Sequence, residues 1–580
     1  MYLSSLIPLI VFAHYVRAQS STSSYVEPTV PTGTPIPGDY NGALRPQIHY
    51  SPPIDFMNDP NGIFLDPNGT YHLYYQYNPT DIVAGNQHWG HATSRDLYTW
   101  ENQKIAIYPG AEGEGIFSGS AVIDVNNTSG FFPNQTNGVV AMYTLNTAQE
   151  EVQDIAYSTD GGYTFTKYAS NPVISINSTQ FRDPKVLWYA PTKSWVAVIS
   201  YAQDFVIGIF TSPNLTNWTH ASNFSHAGLL GLQYECPNLV SLPMLKNASL
   251  AEPLDPANFA STDEMYILQI SINPGAPQGG SISQYFPGTF NGTHFTTADA
   301  ATRLTDFGKD NYAGQFFYNI PATSPQISIA WASNWEYAQL VPTGPLEDFR
   351  SFMTIPRLNV LANTTQSEYT LLSYPYPYSS LYTTPTPLAN SSTLANTSIL
   401  YDYSTTIPSG ALSFSMNITS IPVANTTGTA NFTFLSSITG EYVRGGVFLN
   451  GGNGGDTPVW LDRSHTYGFS NPFFTDKFST SLWRDPDTQD FRLLGVLDRS
   501  ILEVFVSNGE RAGTMTFFPQ GVLDTVILGT NDLNPGVQVS VELYGLRSTW
   551  AGEESGNATM TKRTSGQVMR RDNLGHLGQA

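Results

Sequence analysis

Ala92-Thr93-Ser94-Arg95-Asp96-Leu97-Tyr98-Thr99-Trp100 reads as the end of one strand, a polar turn, and an aromatic residue opening the next strand. The phrase returns as Tyr157-Ser158-Thr159-Asp160-Gly161-Gly162-Tyr163-Thr164-Phe165 and as Phe210-Thr211-Ser212-Pro213-Asn214-Leu215-Thr216-Asn217-Trp218. It recurs more loosely over Tyr285 to Phe295. The closing aromatics Trp100, Phe165, Trp218 and Phe295 are spaced by roughly 50 to 80 residues, a little longer than familiar propeller blades. One such hairpin is noise. Four in order predict a β-propeller of four-stranded blades, with an axial cavity where a ligand sits between inner strands of different blades.

The surrounding sequence agrees. Tyr71-His72-Leu73-Tyr74-Tyr75-Gln76-Tyr77 and Ser194-Trp195-Val196-Ala197-Val198-Ile199-Ser200 are aromatic and β-branched runs bounded by turn residues. No helical stripe of any length stands out, so an all-β fold is expected. The propeller is assigned to 40–373. Residues 374–398, rich in Tyr, Pro, Ser and Thr, read as a linker. From 399 to 550 the strands are short and evenly spaced. Leu412-Ser413-Phe414-Ser415-Met416 and Ser500-Ile501-Leu502-Glu503-Val504-Phe505-Val506 alternate apolar and polar, which predicts a β-sandwich. Met1 to Ala18 carries a short apolar run and a small-x-small end, the pattern of a secretory signal. Residues 19–39 form a Ser/Thr/Pro-rich leader and 551–580 a polar tail.

Composition narrows the function. Of 580 residues only 12% are charged, and 25 Lys+Arg against 46 Asp+Glu leave a net charge of −21. Nothing in that balance neutralises phosphates, so nucleic acid and anionic membrane are excluded as expected partners. The 13% aromatic content argues against an acidic disordered chain. A single cysteine, Cys236, rules out an intramolecular disulfide and any multi-cysteine metal site. Asn-x-Ser/Thr sequons run from Asn68 to Asn557 and include Asn417, Asn425 and Asn431, which predicts a glycosylated, secreted protein.

Three carboxylates stand in unusual contexts. Asp59 lies in Met57-Asn58-Asp59-Pro60-Asn61-Gly62, Asp183 in Phe181-Arg182-Asp183-Pro184, and Glu235 in Gln233-Tyr234-Glu235-Cys236-Pro237. Proline lacks a donor and fixes φ, so each acid opens a rigid, irregular strand start. Separated by a blade or two, all three are placed to point into one axial cavity. Paired carboxylates around a neutral sugar are the equipment for glycoside cleavage, and abundant Trp and Tyr suit sugar stacking. Other features read as structural. His88 and His91 face opposite sides of a strand. The Asn450–Asp456 glycine loop precedes no helix. Cys236 beside Glu235 suits packing or tuning of the acid rather than thiolate chemistry, and Trp100 and Trp218 read as blade core.

Further motifs occur in order: Gln76-Tyr77-Asn78-Pro79, Trp89-Gly90-His91-Ala92, Phe117-Ser118-Gly119-Ser120, and Ala330-Trp331-Ala332-Ser333-Asn334-Trp335-Glu336-Tyr337. With the three acidic motifs, they resemble glycoside hydrolase family 32, the β-fructofuranosidases, and within it the yeast-type secreted invertases. The resemblance implies a five-bladed β-propeller followed by a C-terminal β-sandwich and retaining hydrolysis of terminal β-D-fructofuranosyl residues, sucrose first. It implies Asp59 as nucleophile, Glu235 as acid/base and Asp183 as transition-state stabiliser. Phe56, Met57, Asn58, Gln76, Phe117, Ser118, Arg182, Asp310 and Trp331 are implied to bind the fructosyl unit. No cofactor and no metal are implied, and a homodimer through the sandwich is. Phe56, Ala84 and the Leu346-Glu347-Asp348-Phe349-Arg350-Ser351 stretch depart from the family pattern. They put in doubt the substrate beyond the first fructose, and the gap at Ala84 is expected to loosen the grip on fructose or admit longer substrates. A transfructosylase or exo-inulinase shares all three acids and remains an alternative, as does a non-catalytic propeller lectin.

Overall fold

Side chains of the recurring turn explain why the chain reverses there. Asp96 Oδ1 accepts from the amides of Tyr98 at 2.9 Å and Thr99 at 2.6 Å. Asp160 Oδ1 takes those of Tyr163 and Thr164, both at 3.0 Å. Asn214 takes Thr216 and Asn217, and Asn291 takes Thr293 and His294. Each carboxylate or carboxamide satisfies two amides that the tight reversal leaves without strand partners. Leu97 and Leu215 adopt left-handed φ values of 69° and 66° inside these turns, where the second copy uses Gly162.

The computed structural model describes residues 26, 28–30, 32–245, 263–364, 368–392, 394–449, 456–483 and 489–550. The signal stretch 1–18, residues 19–25, 27 and 31 of the leader, the 450–455 part of the glycine loop, sequons Asn247 and Asn557, and the tail 551–580 lie outside the described residues. Successive hairpins build five antiparallel meanders of four strands. Their inner strands are Asp55–Leu65, Gly115–Ile123, Phe181–Tyr189, Tyr234–Leu245 and Tyr312–Phe316. Each packs on the next, and Tyr312–Phe316 returns to Asp55–Leu65, so the ring closes. Phe349–Arg350 adds to the first sheet as a parallel strand beside Asp55 and Phe56. Apolar layers fill the spaces between sheets: Trp100 joins Tyr50, Leu73 and Tyr75 in one, while Phe181, Trp195 and Phe210 fill another.

The second unit is two six-stranded sheets face to face. Phe414, Leu502 and Val504 from one meet Phe432, Phe434 and Leu461 from the other. The 374–398 stretch, expected as a linker, is folded onto both units. Thr370–Pro375 completes the fifth meander, and Ala389–Ser391 pairs with Gln538–Leu546 at the edge of the sandwich.

Buried ions join propeller and sandwich. Arg357 donates to Asp306 at 3.0 Å and Thr514 Oγ1 at 2.7 Å, and pairs with Glu503. His49 sits between Asp498 at 2.8 Å and Glu503 at 3.1 Å. Burial disfavours its imidazolium, but the hydrogen bonds to Asp498 and Glu503 outweigh that and push its pKa up to about 9. Arg357→Met is expected to lower stability by about 3–5 kcal/mol, because it leaves Asp306 and Glu503 buried with one fewer cation. Denaturant unfolding at neutral pH, read as the shift in midpoint, checks this.

Candidate active site

All five inner strands are irregular at one end of the ring. The pairing of each with its neighbour slips by a bulge: between Met57 and Pro60, Ile116 and Gly119, Glu235 and Asn238, and Tyr312 and Gln315, and opposite Arg182–Lys185 at Val198–Ser200. A bulge inserts an unpaired residue and re-aims its side chain. Those bulges contain Asp59, Ser118, Asp183, Cys236 and the residues after Tyr312. The prolines at 60, 184 and 237 suit positions that need no ladder donor. Asp183 and Cys236 adopt φ values of 66° and 47°, a strained backbone that the surrounding strands hold in place.

Cys236 lies at the meeting point. Its amide donates to Asp183 Oδ2 at 3.0 Å. Its sulfur stands 3.5 Å from Asp59 Oδ2 and 3.7 Å from Asp183 Oδ2. Burial, then the surrounding carboxylates, raise the thiol pKa well above its usual value, so it stays a protonated donor.

Asp59 Oδ2 accepts a 2.7 Å hydrogen bond from Ser118 Oγ, while Oδ1 accepts none. Burial raises its pKa, Ser118 opposes the rise, and Glu235 adds to it. Asp183 is raised as well, first by burial and then by Glu235, with Arg182 pulling the other way. Glu235 Oε1 accepts from Arg182 Nε at 3.2 Å and from Gln233 Nε2 at 3.1 Å, and Oε2 accepts from the Tyr312 hydroxyl. Arg182 is held on its far side by Glu151 at 3.2 Å, by Gln180 at 3.1 Å and by Gln233 at 2.9 Å. The arrangement offers a carboxylate oxygen without a hydrogen-bond partner, a second carboxylate on an arginine–tyrosine frame, and a third acid held by the Cys236 amide. The expected consequence of removing one support is specific. Ser118→Ala is expected to lower kcat about tenfold, since a hydrogen bond to a charged group contributes about 1.5–3 kcal/mol. It also moves the acid limb of the kcat/KM profile to higher pH, because Ser118 holds the Asp59 pKa down. A pH–rate series on both proteins checks the direction.

Of the implied binding residues, Ser118 and Arg182 touch the carboxylates directly. Asn58 is half-buried beside Asp59, and Phe117 is half-buried with its carbonyl on the Trp89 indole. Gln76 is buried and donates to the Ile116 carbonyl at 3.0 Å, tying the second inner strand in place. Two expectations, Met57 and Asp310, need correction. Met57 is 0% exposed in the apolar layer with Tyr50, Leu73 and Tyr75, because strand alternation turns it away from the axis. Phe56 and Trp331 are 1% and 0% exposed; with Tyr312 and the half-exposed Trp335 they form an aromatic layer packed against Cys236 and Ala84. Asp310 is spent on the sandwich: Oδ2 takes Arg463 at 2.7 Å and the Thr516 amide at 2.8 Å, and Oδ1 takes the Tyr337 hydroxyl.

Sequence reasoning missed Tyr312, Glu151 and Gln233. Gln233 stands two residues before Glu235, so strand alternation carries a signal for it. Tyr312 opens the fifth inner strand without a proline to mark it, and Glu151 has no local signal. His91, read as structural, stacks on Tyr74 and bonds the His72 ring at 3.0 Å.

Comparison with known proteins gives a consistent result. The model for the glycosyl hydrolases family 32 N-terminal domain matches residues 49–375, and that for the family 32 C terminal matches 453–542. An extracellular exo-inulinase of Meyerozyma guilliermondii is 41% identical over 523 residues, covering 87% of this chain and 96% of its own length. Invertase 2 of Saccharomyces cerevisiae is 40% identical, covering 82% and 89%. Among solved structures, a Schwanniomyces occidentalis fructofuranosidase complexed with fructose superposes with a TM-score of 0.77 at 35% identity, over 88% of this chain and 99% of that one.

Proposed function

We propose that this chain, which belongs to glycosyl hydrolase family 32, is an extracellular β-fructofuranosidase of the invertase type that hydrolyses terminal β-D-fructofuranosyl residues of sucrose and related fructo-oligosaccharides. The observation that carries the reading is the gathering of Asp59, Asp183 and Glu235 around Cys236. A sugar-binding lectin needs neither an unpartnered carboxylate oxygen nor a second acid held on an arginine and a tyrosine.

In the proposed mechanism the Asp59 carboxylate attacks the anomeric carbon of the fructosyl unit. The bond from that carbon to the glucosyl oxygen breaks, and the departing oxygen takes the proton of Glu235. The product is a fructosyl ester of Asp59. Glu235, now a carboxylate, removes a proton from water, whose oxygen attacks the same carbon and releases Asp59. Asp183 and Arg182 hold fructose hydroxyls and oppose the positive charge that develops at the ring. Two inversions give net retention, which needs the two carboxyl groups about 5–5.5 Å apart.

The test is sucrose turnover followed by NMR, with glucose and fructose measured separately. First release of β-fructofuranose in amounts equal to glucose supports a retaining hydrolase. Release of the α-anomer overturns the mechanism. Glucose in excess that grows with sucrose means transfer to sugar, and no release from sucrose or fructans returns the reading to a lectin. A homodimer through the sandwich is part of this reading and rests on the family resemblance; light scattering that finds only monomer at micromolar concentration overturns it.

A further inference from the structure

The sandwich sheet farther along the chain has an outward face with an uncommon row. Across it, residue by residue, stand Ser398, Gly529, Asn431, Gly446, Trp460 and Ser479. Cross-strand partners point to the same face. The alternate positions Ala430, Phe432 and Phe434 lie in the apolar core, so Asn431 points outward. It is the asparagine of the sequon Asn431-Phe432-Thr433. Both of its cross-strand neighbours are glycines. A Cβ on Gly446 would come within 2.3 Å of Asn431 Oδ1, so any side chain there would displace the carboxamide. The Asn431 carboxamide lies over Gly446, with Nδ2 donating to Thr429 Oγ1 at 3.2 Å, and Ser398 covers Gly529. Trp460 stands beyond Gly446, and Phe448, 43% exposed, lies 6.4 Å from it between ring centroids. Arg444 sits 5.7 Å from the same indole.

A half-buried tryptophan and an exposed phenylalanine on the open face of the sheet leave apolar surface in water on the same face as the sequon asparagine. We propose that Asn431 carries an N-linked glycan whose first sugar lies across this outward face against Trp460 and Phe448. The bond forms between Asn431 Nδ2 and the anomeric carbon of the first N-acetylglucosamine. Nδ2 gives up one proton, and the lipid-linked diphosphate donor of the secretory pathway leaves as the lipid diphosphate. The C–H face of that sugar covers the aromatic rings as apolar contact. The proposal rests on the extracellular reading of the chain.

The test uses the full chain secreted from a eukaryotic host. Enzymatic deglycosylation in heavy-oxygen water converts each modified Asn to a mass-labelled Asp, and peptide mapping reads occupancy site by site. Label at Asn431 in most molecules is expected. Label at other sequons with none at Asn431 overturns the proposal and leaves the extracellular reading standing; no label anywhere overturns both. Trp460→Ser is then made with and without Asn431→Gln. The expected result is a fall in unfolding temperature that is larger by about 2 °C or more when the glycan is present. An equal fall in both backgrounds shows that the glycan does not rest on the rings and overturns that part.

Discussion

Asp59→Asn is expected to lower kcat on sucrose by about ten-thousandfold or more, the scale on which loss of a nucleophile acts in enzymes whose groups work as a unit. The amide matches the carboxylate in shape. Its oxygen still accepts from Ser118, as Asp59 Oδ2 does now at 2.7 Å. What is lost is the charge and the nucleophilic lone pair of the carboxylate. The loss therefore belongs to kcat, and the dissociation constant for sucrose, measured by calorimetry on the inactive variant, is expected to stay within a few fold. A variant that keeps a tenth of the wild-type kcat would remove Asp59 from the role of nucleophile. A variant that loses binding as well would mean the carboxylate mainly anchors the sugar.

Legibility of the site from sequence followed a physical rule. The proline after an acid marks a bulge, and a bulge is local, so Asp59, Asp183 and the Glu235 region were visible as irregular strand starts. The aspartate turns at Asp96 and Asp160 are local too, and they announced the meanders. Face assignment failed where the bulge itself breaks the two-residue period. Met57 stands at the slip between Met57 and Pro60, and it is buried in the apolar layer with Tyr50 and Leu73. Distant partnerships were invisible. Asp310 lies in a stretch that continues into the site strand at Tyr312, yet its charge is taken by Arg463, in a sheet of the other unit. Glu151 sits on an unmarked strand and matters only because the second meander brings it against Arg182. No local pattern records such a meeting, because separate sheets must pack together before it exists.

Glu235→Gln is expected to separate the two halves of the reaction. On sucrose it is expected to lower kcat by about a thousandfold, within the range attributed to general acid–base groups. Collapse of the site is not the cause to expect. Arg182 keeps Glu151, Gln180 and Gln233; the new amide oxygen still accepts from Arg182 Nε and Gln233 Nε2, and its NH2 group donates to the Tyr312 hydroxyl oxygen. With β-D-fructofuranosyl fluoride the leaving group departs as an anion and needs no proton, so attack by Asp59 proceeds. The second step still lacks its base. Fluoride is therefore released in a burst of one equivalent per enzyme, and the fructosyl ester accumulates for detection by mass spectrometry. Azide, which attacks without giving up a proton, restores turnover and yields fructosyl azide of retained configuration, whereas the Asp59→Asn enzyme gains nothing from either reagent. Failure of both fluoride and azide to act on Glu235→Gln would mean that Glu235 works on binding or geometry. The carboxylate on the arginine–tyrosine frame would then have to yield the acid role to Asp183, whose pKa burial already raises.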